Sequence, residues 1–273
     1  MNLDFDLPMV HVAGVIRFSY PCDGGFKRKY DSADAKRADL YSLERLDNRF
    51  HLFEALCLHT LKRQTDKNFS LGILVGEDLP RHYYNRMMDN LADFPEAKLI
   101  SLPMMSHREA VTRAFNTLYD QDMPFRFGFR LDDDDAVSVN FVEQLHANIP
   151  SLLLRSAGKT PIALSFPKGV TIAGGAGDRS LYPAVFATPP SAGLAVLTNA
   201  NWPETIYRLP HHKIQTQVCT VMDPRELMYL RVIHSDNDSE HSIPNLTIGM
   251  PDKILQQQVQ RQFGLSVTQL KAL

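Results

Sequence analysis

Hydrophobic and polar positions in the first half of the chain switch repeatedly between two periods. Val10 to Phe18 is a near-continuous apolar run and reads as a buried strand. Phe69 to Val75 and Lys98 to Leu102 follow as a second and third strand. Phe125 to Leu131 is a fourth, with Phe127, Phe129 and Leu131 on one face. Between them the spacing is helical. Leu46, Phe50, Phe53, Leu56, Leu58 and Leu61 predict a helix from Leu43 to Lys62. Pro80 suits the first turn of a helix reaching Leu91, and Ser106 with Glu109 forms a capping box for a helix from His107 to Tyr119. Ser138 is placed to cap a helix from Val139 to about Asn148. The segment from Ser19 to Tyr41, rich in Gly, Lys, Asp and Arg, is predicted as a long loop.

Strand and helix in alternation imply a mostly parallel sheet with helices on both faces, and all strand C-termini on one edge. The second half changes character. Ile162–Phe166, Val170–Ile172, Leu181–Phe186 and Leu194–Leu197 are short strands divided by Gly and Pro, and Leu255, Val259 and Phe263 mark a late helix closed by Gly264. No Ser/Gly-rich linker separates the halves. The expectation is one domain of α/β class, a Rossmann-like three-layer α/β/α sandwich. It comprises a nucleotide-sugar-binding half over 8–148, an acceptor-side half over 149–250 and a helical tail over 251–273.

Composition narrows the function classes. Lys plus Arg number 29 against 31 for Asp plus Glu, so there is no bulk basic surface of the kind nucleic-acid binding requires. Cys22, Cys57 and Cys219 are odd in number and widely spaced, which argues against a disulfide framework or a cysteine zinc site and fits a reducing, cytoplasmic setting. Met1 to Pro8 lacks the basic-then-apolar order of a signal peptide, and no run of about 18 apolar residues is present. Peripheral association with a membrane remains open.

Asp132 to Asp135 follow directly on the fourth strand. Four consecutive carboxylates repel one another, and a ligand edge is where a hard divalent cation with substrate phosphates would neutralise them. A solvated acidic turn, or a cluster opening a helix, is the plainer alternative.

Further residues give a resemblance. Arg17-Phe18 ends the first strand. Leu46-x-x-Arg49-Phe50-x-x-Phe53-Glu54-x-x-Cys57-Leu58 leads to Thr60-Leu61-x-x-Gln64-Thr65-x-x-Asn68-Phe69. Gly76-Glu77-Asp78-Leu79-Pro80 and Arg130-Leu131 with the four aspartates complete the order. The order resembles the putative rhamnosyltransferase family of GT-A type glycosyltransferases, over about residues 10 to 142. His59-Thr60 stands where Pro-Ser is usual.

The resemblance implies a GT-A-like fold with an Asp-x-Asp motif. It also implies a nucleotide-sugar donor, a glycan or other hydroxyl acceptor, and Mn²⁺ or Mg²⁺. By that resemblance Asp134 binds the metal and Asp132 contacts the ribose or a metal-bound water. Asp135 and His234 join the metal side. Asp133 joins Arg17, Arg49 and Arg113 on the nucleotide-sugar side. Arg113-x-x-Asn116 is similar to an Arg/Asn position near the donor, and His234, Asn237 and Ser239 resemble a late segment of the family. Arg17 and Arg49 equally suit structural ion pairs, and Arg113 equally suits a helix surface. Asp178, Glu204 and His212 are the candidate general bases, with no motif selecting one. Two other readings stand beside this one. One is a non-catalytic cation- or carbohydrate-binding module of the same fold. The other is a phosphohydrolase with Asp133 as nucleophile.

Overall fold

The computed structural model of the chain describes residues 9–24, 30–175, 177–234 and 247–273. In chain order, β1 (Val10–Arg17) leads to α1 (Ala33–Leu40) and α2 (Leu43–Leu52). Helix α2 continues through a π-helical stretch, Phe53–Leu58, into α3 (His59–Leu61). Then come β2 (Ser70–Gly76), α4 (Arg81–Leu91), β3 (Ala97–Leu102), α5 (His107–Leu118), β4 (Phe125–Asp132), β5 (Asp135–Val137) and α6 (Phe141–Arg155). The second half adds β6 (Ile162–Ser165), β7 (Lys168–Gly175), β8 (Asp178–Val185), β9 (Ala195–Asn199), β10 (Cys219–Met222) and β11 (Tyr229–Ile233). It closes with α7 (Asp252–Phe263) and α8 (Val267–Ala272).

These strands form two sheets, and this corrects the single GT-A-like sandwich expected from the sequence. One is seven-stranded in the order β10-β6-β9-β4-β1-β2-β3, and the other is four-stranded in the order β5-β11-β7-β8. The physical reason lies at the aspartates. The chain turns at Asp133 and Asp134, leaves β4, and pairs Asp135 antiparallel with Arg231 of the second sheet. Strands β6, β9 and β10 take the free edge of β4, so β7, β8 and β11 pair with one another and with β5 instead.

In the large sheet β1, β2, β3 and β4 are parallel, and β9 runs antiparallel between β4 and β6. Both faces are buried, which is why these strands read as continuous apolar runs. Val12, Ile16, Phe127, Phe129 and Leu131 pack on the side of α2 and the π-helical stretch. Ala13, Val15 and Val196 pack on the side of α5. A third core joins the small sheet to α7 and α8 through Val170, Val232, Val259 and Phe263. Gly14 lies directly under the Phe129 ring, where a Cβ would stand 2.1 Å from it, so only glycine fits this crossing.

Other local expectations met mixed outcomes. Ser106 caps α5 by accepting from Glu109 N, and Gly264 closes α7 at φ 65°. Ser19 to Tyr41 is not all loop, because Ser32 caps α1. Helix α6 passes through Pro150 and ends at Arg155. Its capping does not come from Ser138. Gln64 Oε1 accepts from Val142 N at 2.9 Å, and Gln64 Nε2 donates to Ser138 O at 2.8 Å. The Gln64-Thr65 pair thus ties the end of the long helix to the segment that follows the aspartates. Among the described residues no helix is long and apolar enough to cross a membrane.

Candidate functional site

The seven-stranded sheet changes winding direction between β1 and β4. The crossovers from β1 go to β2 and β3 on one side, while β4 lies on the other. The carboxyl ends of strands flanking such a switch point form a ready crevice for a ligand. Here they carry Arg17 and Asp132, which stand opposite each other in the β1–β4 register.

Period-two alternation along β4 puts Arg126, Gly128, Arg130 and Asp132 on the face opposite Phe127, Phe129 and Leu131. Arg130 Nη2 lies 3.4 Å from Asp132 Oδ1, and Ser191 Oγ donates to Asp132 Oδ2 at 3.4 Å. The Tyr207 ring sits beneath both arginines, 4.9 Å from the Arg130 guanidinium carbon and 5.9 Å from that of Arg17. Its hydroxyl donates to Val15 O at 2.7 Å, which fixes the ring against β1. His107 meets the same ring edge-on at 5.4 Å. Burial, followed by the Arg17 and Arg130 cations, takes the His107 pKa down to about 3. Burial and Arg130 take His211 down to about 4. Both imidazoles are therefore neutral at physiological pH, and the fixed positive charge of this corner belongs to the two arginines.

Asp133 and Asp134 face elsewhere. Arg49, on the buried stripe of α2 between Leu46 and Phe53, gives Nη1 to Asp133 Oδ1 at 2.5 Å and to Asp134 Oδ2 at 3.0 Å. His234, one residue past β11, places Nε2 2.9 Å from the same Asp134 oxygen. Burial opposes charge on Asp134, but Arg49 and the His234 hydrogen bond outweigh it and bring the pKa to about 2. Burial pushes Asp133 up to about 6, against the pull of Arg49. Burial and the neighbouring Asp134 and Asp132 charges push the Asp135 carboxyl well above its ordinary value. The same burial and carboxylates raise the Cys57 thiol, which stays protonated.

The four carboxylates are therefore not one undivided charge cluster, and the Asp-x-Asp motif reading is corrected together with the fold it accompanied. Asp132 meets Arg130 and Ser191 on the α5 side, Asp134 meets Arg49 and His234 on the α2 side, and the Arg49 cation relieves the repulsion between Asp133 and Asp134. Among the described residues no group of three or more His, Cys, Asp or Glu side chains is arranged to hold a metal ion. Asp134 Oδ2 and His234 Nε2 are two convergent donors, a carboxylate and an imidazole. The two are hydrogen-bonded to each other, so a cation here would replace that hydrogen bond and take its remaining ligands from substrate oxygens and water.

The other candidate residues are spread out. Arg49 is a buried counter-ion. Arg113 lies exposed on α5 and pairs with Glu109 at 2.7 Å. Glu204 is ion-paired with Arg108, and His212 is exposed. Asp178 opens β8 at the exposed tip of the β7–β8 hairpin, opposite Gly175. Ile233 pairs with Ala173, so His234 and the hairpin tip leave the small sheet at the same end. Asp133 is buried against Arg49. Asn237 and Ser239 lie outside the described residues. Arg130, Ser191, His107 and Tyr207 were not among the expected site residues. Arg130 was within reach, being two residues before Asp132 and so on its face; the others carry no local signal.

Among curated proteins, none matches the sequence. The fold is similar to residues 1–349 of S. aureus TarS in complex with UDP-GlcNAc, with 9% identity, 85% of this chain and 62% of that one covered, and a TM-score of 0.49. The chain thus spans about three fifths of the TarS chain it matches. It is also similar to the apo structure of the bifunctional glycosyltransferase WbbM, with 18% identity, 54% and 22% covered, and a TM-score of 0.26. A third similar structure is 4-diphosphocytidyl-2C-methyl-D-erythritol synthase from Anaerococcus prevotii, with 10% identity, 90% and 93% covered, and a TM-score of 0.34. The family model described as "Putative rhamnosyl transferase" matches residues 11–246, and the chain belongs to that family.

Proposed function

We propose that this chain is a glycosyltransferase that moves a sugar from a nucleotide-diphosphate donor to a hydroxyl acceptor. The observation that carries the reading is the placing of Arg17 and Arg130 beside Asp132 at the β1–β4 switch point. Breaking the bond between the anomeric carbon and the diphosphate leaves negative charge on phosphate oxygens. Two fixed guanidinium groups, with no proton to lose at any working pH, are suited to receive it. Neutral His107 adds a hydrogen-bond donor beside them without adding charge. Asp132, the one aspartate of the four that is partly open, suits a ribose hydroxyl.

Asp134 and His234 are the residues that would hold Mn²⁺ or Mg²⁺. When bound, the ion would supply further neutralisation of the diphosphate. Asp178 is the proposed general base. It lies two strands from His234 across the small sheet, about 10 Å at ordinary strand spacing. Its exposure leaves its carboxylate able to take the acceptor proton as the acceptor oxygen bonds to the anomeric carbon. Rhamnose as the sugar transferred is part of this proposal and is supported by family membership alone.

The reading is tested by incubating the protein with a panel of nucleotide sugars, Mn²⁺ and short glycan acceptors, and measuring release of nucleoside diphosphate. Acceptor-dependent release from one donor, lost in Asp134→Ala, is the expected result. Full activity in a folded Asp134→Ala protein would refute the role given to that carboxylate.

A further inference from the structure

A second concavity lies on the α5 side of the large sheet, away from the aspartates. It is a cavity of about 210 Å³ between α5 and the loop that follows β9, floored by β4 and β9. Thr112 and Asn116 line it from one face of α5, Tyr119 from just past the end of that helix, Arg126 from the floor, and Asn201 and Trp202 from the loop. Gly128 keeps the floor flat, because a Cβ there would stand 2.6 Å from the Tyr119 hydroxyl. Arg126 lies 4.8 Å over the Tyr119 ring, and its Nε is buried with no hydrogen-bond partner among the described residues.

The lining is aromatic on one part and rich in hydroxyl and amide groups on another. Its formal charges are Arg126 and Glu204. Glu204 is paired with Arg108, and Arg126 donates to Gln121 at 2.9 Å. A near-neutral cavity offers little to a phosphate. It suits a molecule with one apolar face and several hydroxyls, which can lie on ring surface while its hydroxyls meet side-chain amides. The volume admits about one six-membered sugar ring.

We propose that this cavity is a carbohydrate subsite that takes one neutral monosaccharide unit of a glycan. It is separate from the donor corner. Gly128 and Arg126 precede Asp132 on β4 by four and six positions, roughly 13–20 Å along the strand. On the donor reading, a sugar here is part of a bound glycan and is not the sugar being transferred. The assignment stands or falls independently of the donor reading.

Trp202 is the chain's single tryptophan, so its emission reports directly on the cavity wall. The full chain is titrated with neutral monosaccharides and short oligosaccharides while tryptophan fluorescence is recorded. The expected result is a saturable change with at least one sugar, weakened tenfold or more in Thr112→Leu, which fills the cavity, and in Asn201→Ala. Nucleoside diphosphate binding, measured in parallel, stays unchanged in both variants. The proposal is overturned if no sugar alters the emission, if the response survives both substitutions, or if inorganic phosphate alone reproduces it.

Discussion

Arg17 stands directly opposite Asp132 in the parallel pairing of β1 with β4. One residue is the last of the first strand and the other is the last of the fourth, and 115 positions of sequence separate them only because a parallel sheet needs crossovers. The pairing places a permanent cation and a carboxylate at a point of the sheet where the strand order reverses. Everything proposed for the donor follows from that placement.

Arg49 carries a different burden. It is the shared partner of Asp133 and Asp134, and all three side chains are nearly inaccessible. Removing one member of such a buried group leaves uncompensated charge. Arg49→Met is expected to lower unfolding free energy by about 3–5 kcal/mol. Equilibrium denaturation measures this, and adding Asp133→Asn to the same protein is expected to restore part of the loss. Wild-type stability in Arg49→Met would show that the pair is solvated and that the two carboxylates need no internal cation.

Stability at acid pH provides an independent check on His107. Its pKa in the folded chain, about 3, lies below the ordinary 6.5. Between those values the unfolded chain binds a proton that the folded chain does not. The stabilisation is therefore complete above about 6.5 and is lost as pH falls toward 3. His107→Gln is expected to flatten this part of the stability–pH curve in urea titrations. An unchanged slope would mean that His107 protonates freely in the folded state.

Asp178 is assigned the proton of the acceptor. Asp178→Asn is expected to lower turnover by about 10²–10⁴-fold while leaving donor affinity within twofold. Single-turnover rates and donor titrations separate the two effects. Retained turnover would return the role to Glu204 or His212, both remote from the Asp134–His234 pair in their contacts.

Most of the first half was legible in the sequence because local rules and tertiary packing agree there. The apolar runs of β1, β2 and β4 form as their period dictates, and the stripe from Leu46 to Leu61 is helical throughout, although Phe53–Leu58 is wound as a π-helix. The second sheet was not legible. Residues 162–172 show where strands are but not which strands they join, and a three-residue β5 carries no pattern at all. The four aspartates misled for a related reason. Consecutive like charges suggest one site, whereas the turn at Asp133 and Asp134 gives them different partners. Their partners, Arg49 at a distance of 84 residues and His234 at 100, are brought in by the fold. Gln64 could be picked out by resemblance, but its work as a cap for α6 depends on a contact 78 residues away.

The most direct test of the donor site is calorimetric titration of the protein with a set of nucleoside diphosphates in the presence of Mn²⁺, repeated on Arg130→Gln. A charge-assisted hydrogen bond to phosphate contributes about 1.5–3 kcal/mol, so a diphosphate that binds the wild-type chain is expected to bind the variant roughly 10- to 100-fold more weakly. The corresponding nucleoside, which lacks the phosphates, is expected to bind both proteins alike. If no nucleoside diphosphate binds the wild-type chain, or if one binds Arg130→Gln equally well, the β1–β4 switch point is not the donor site.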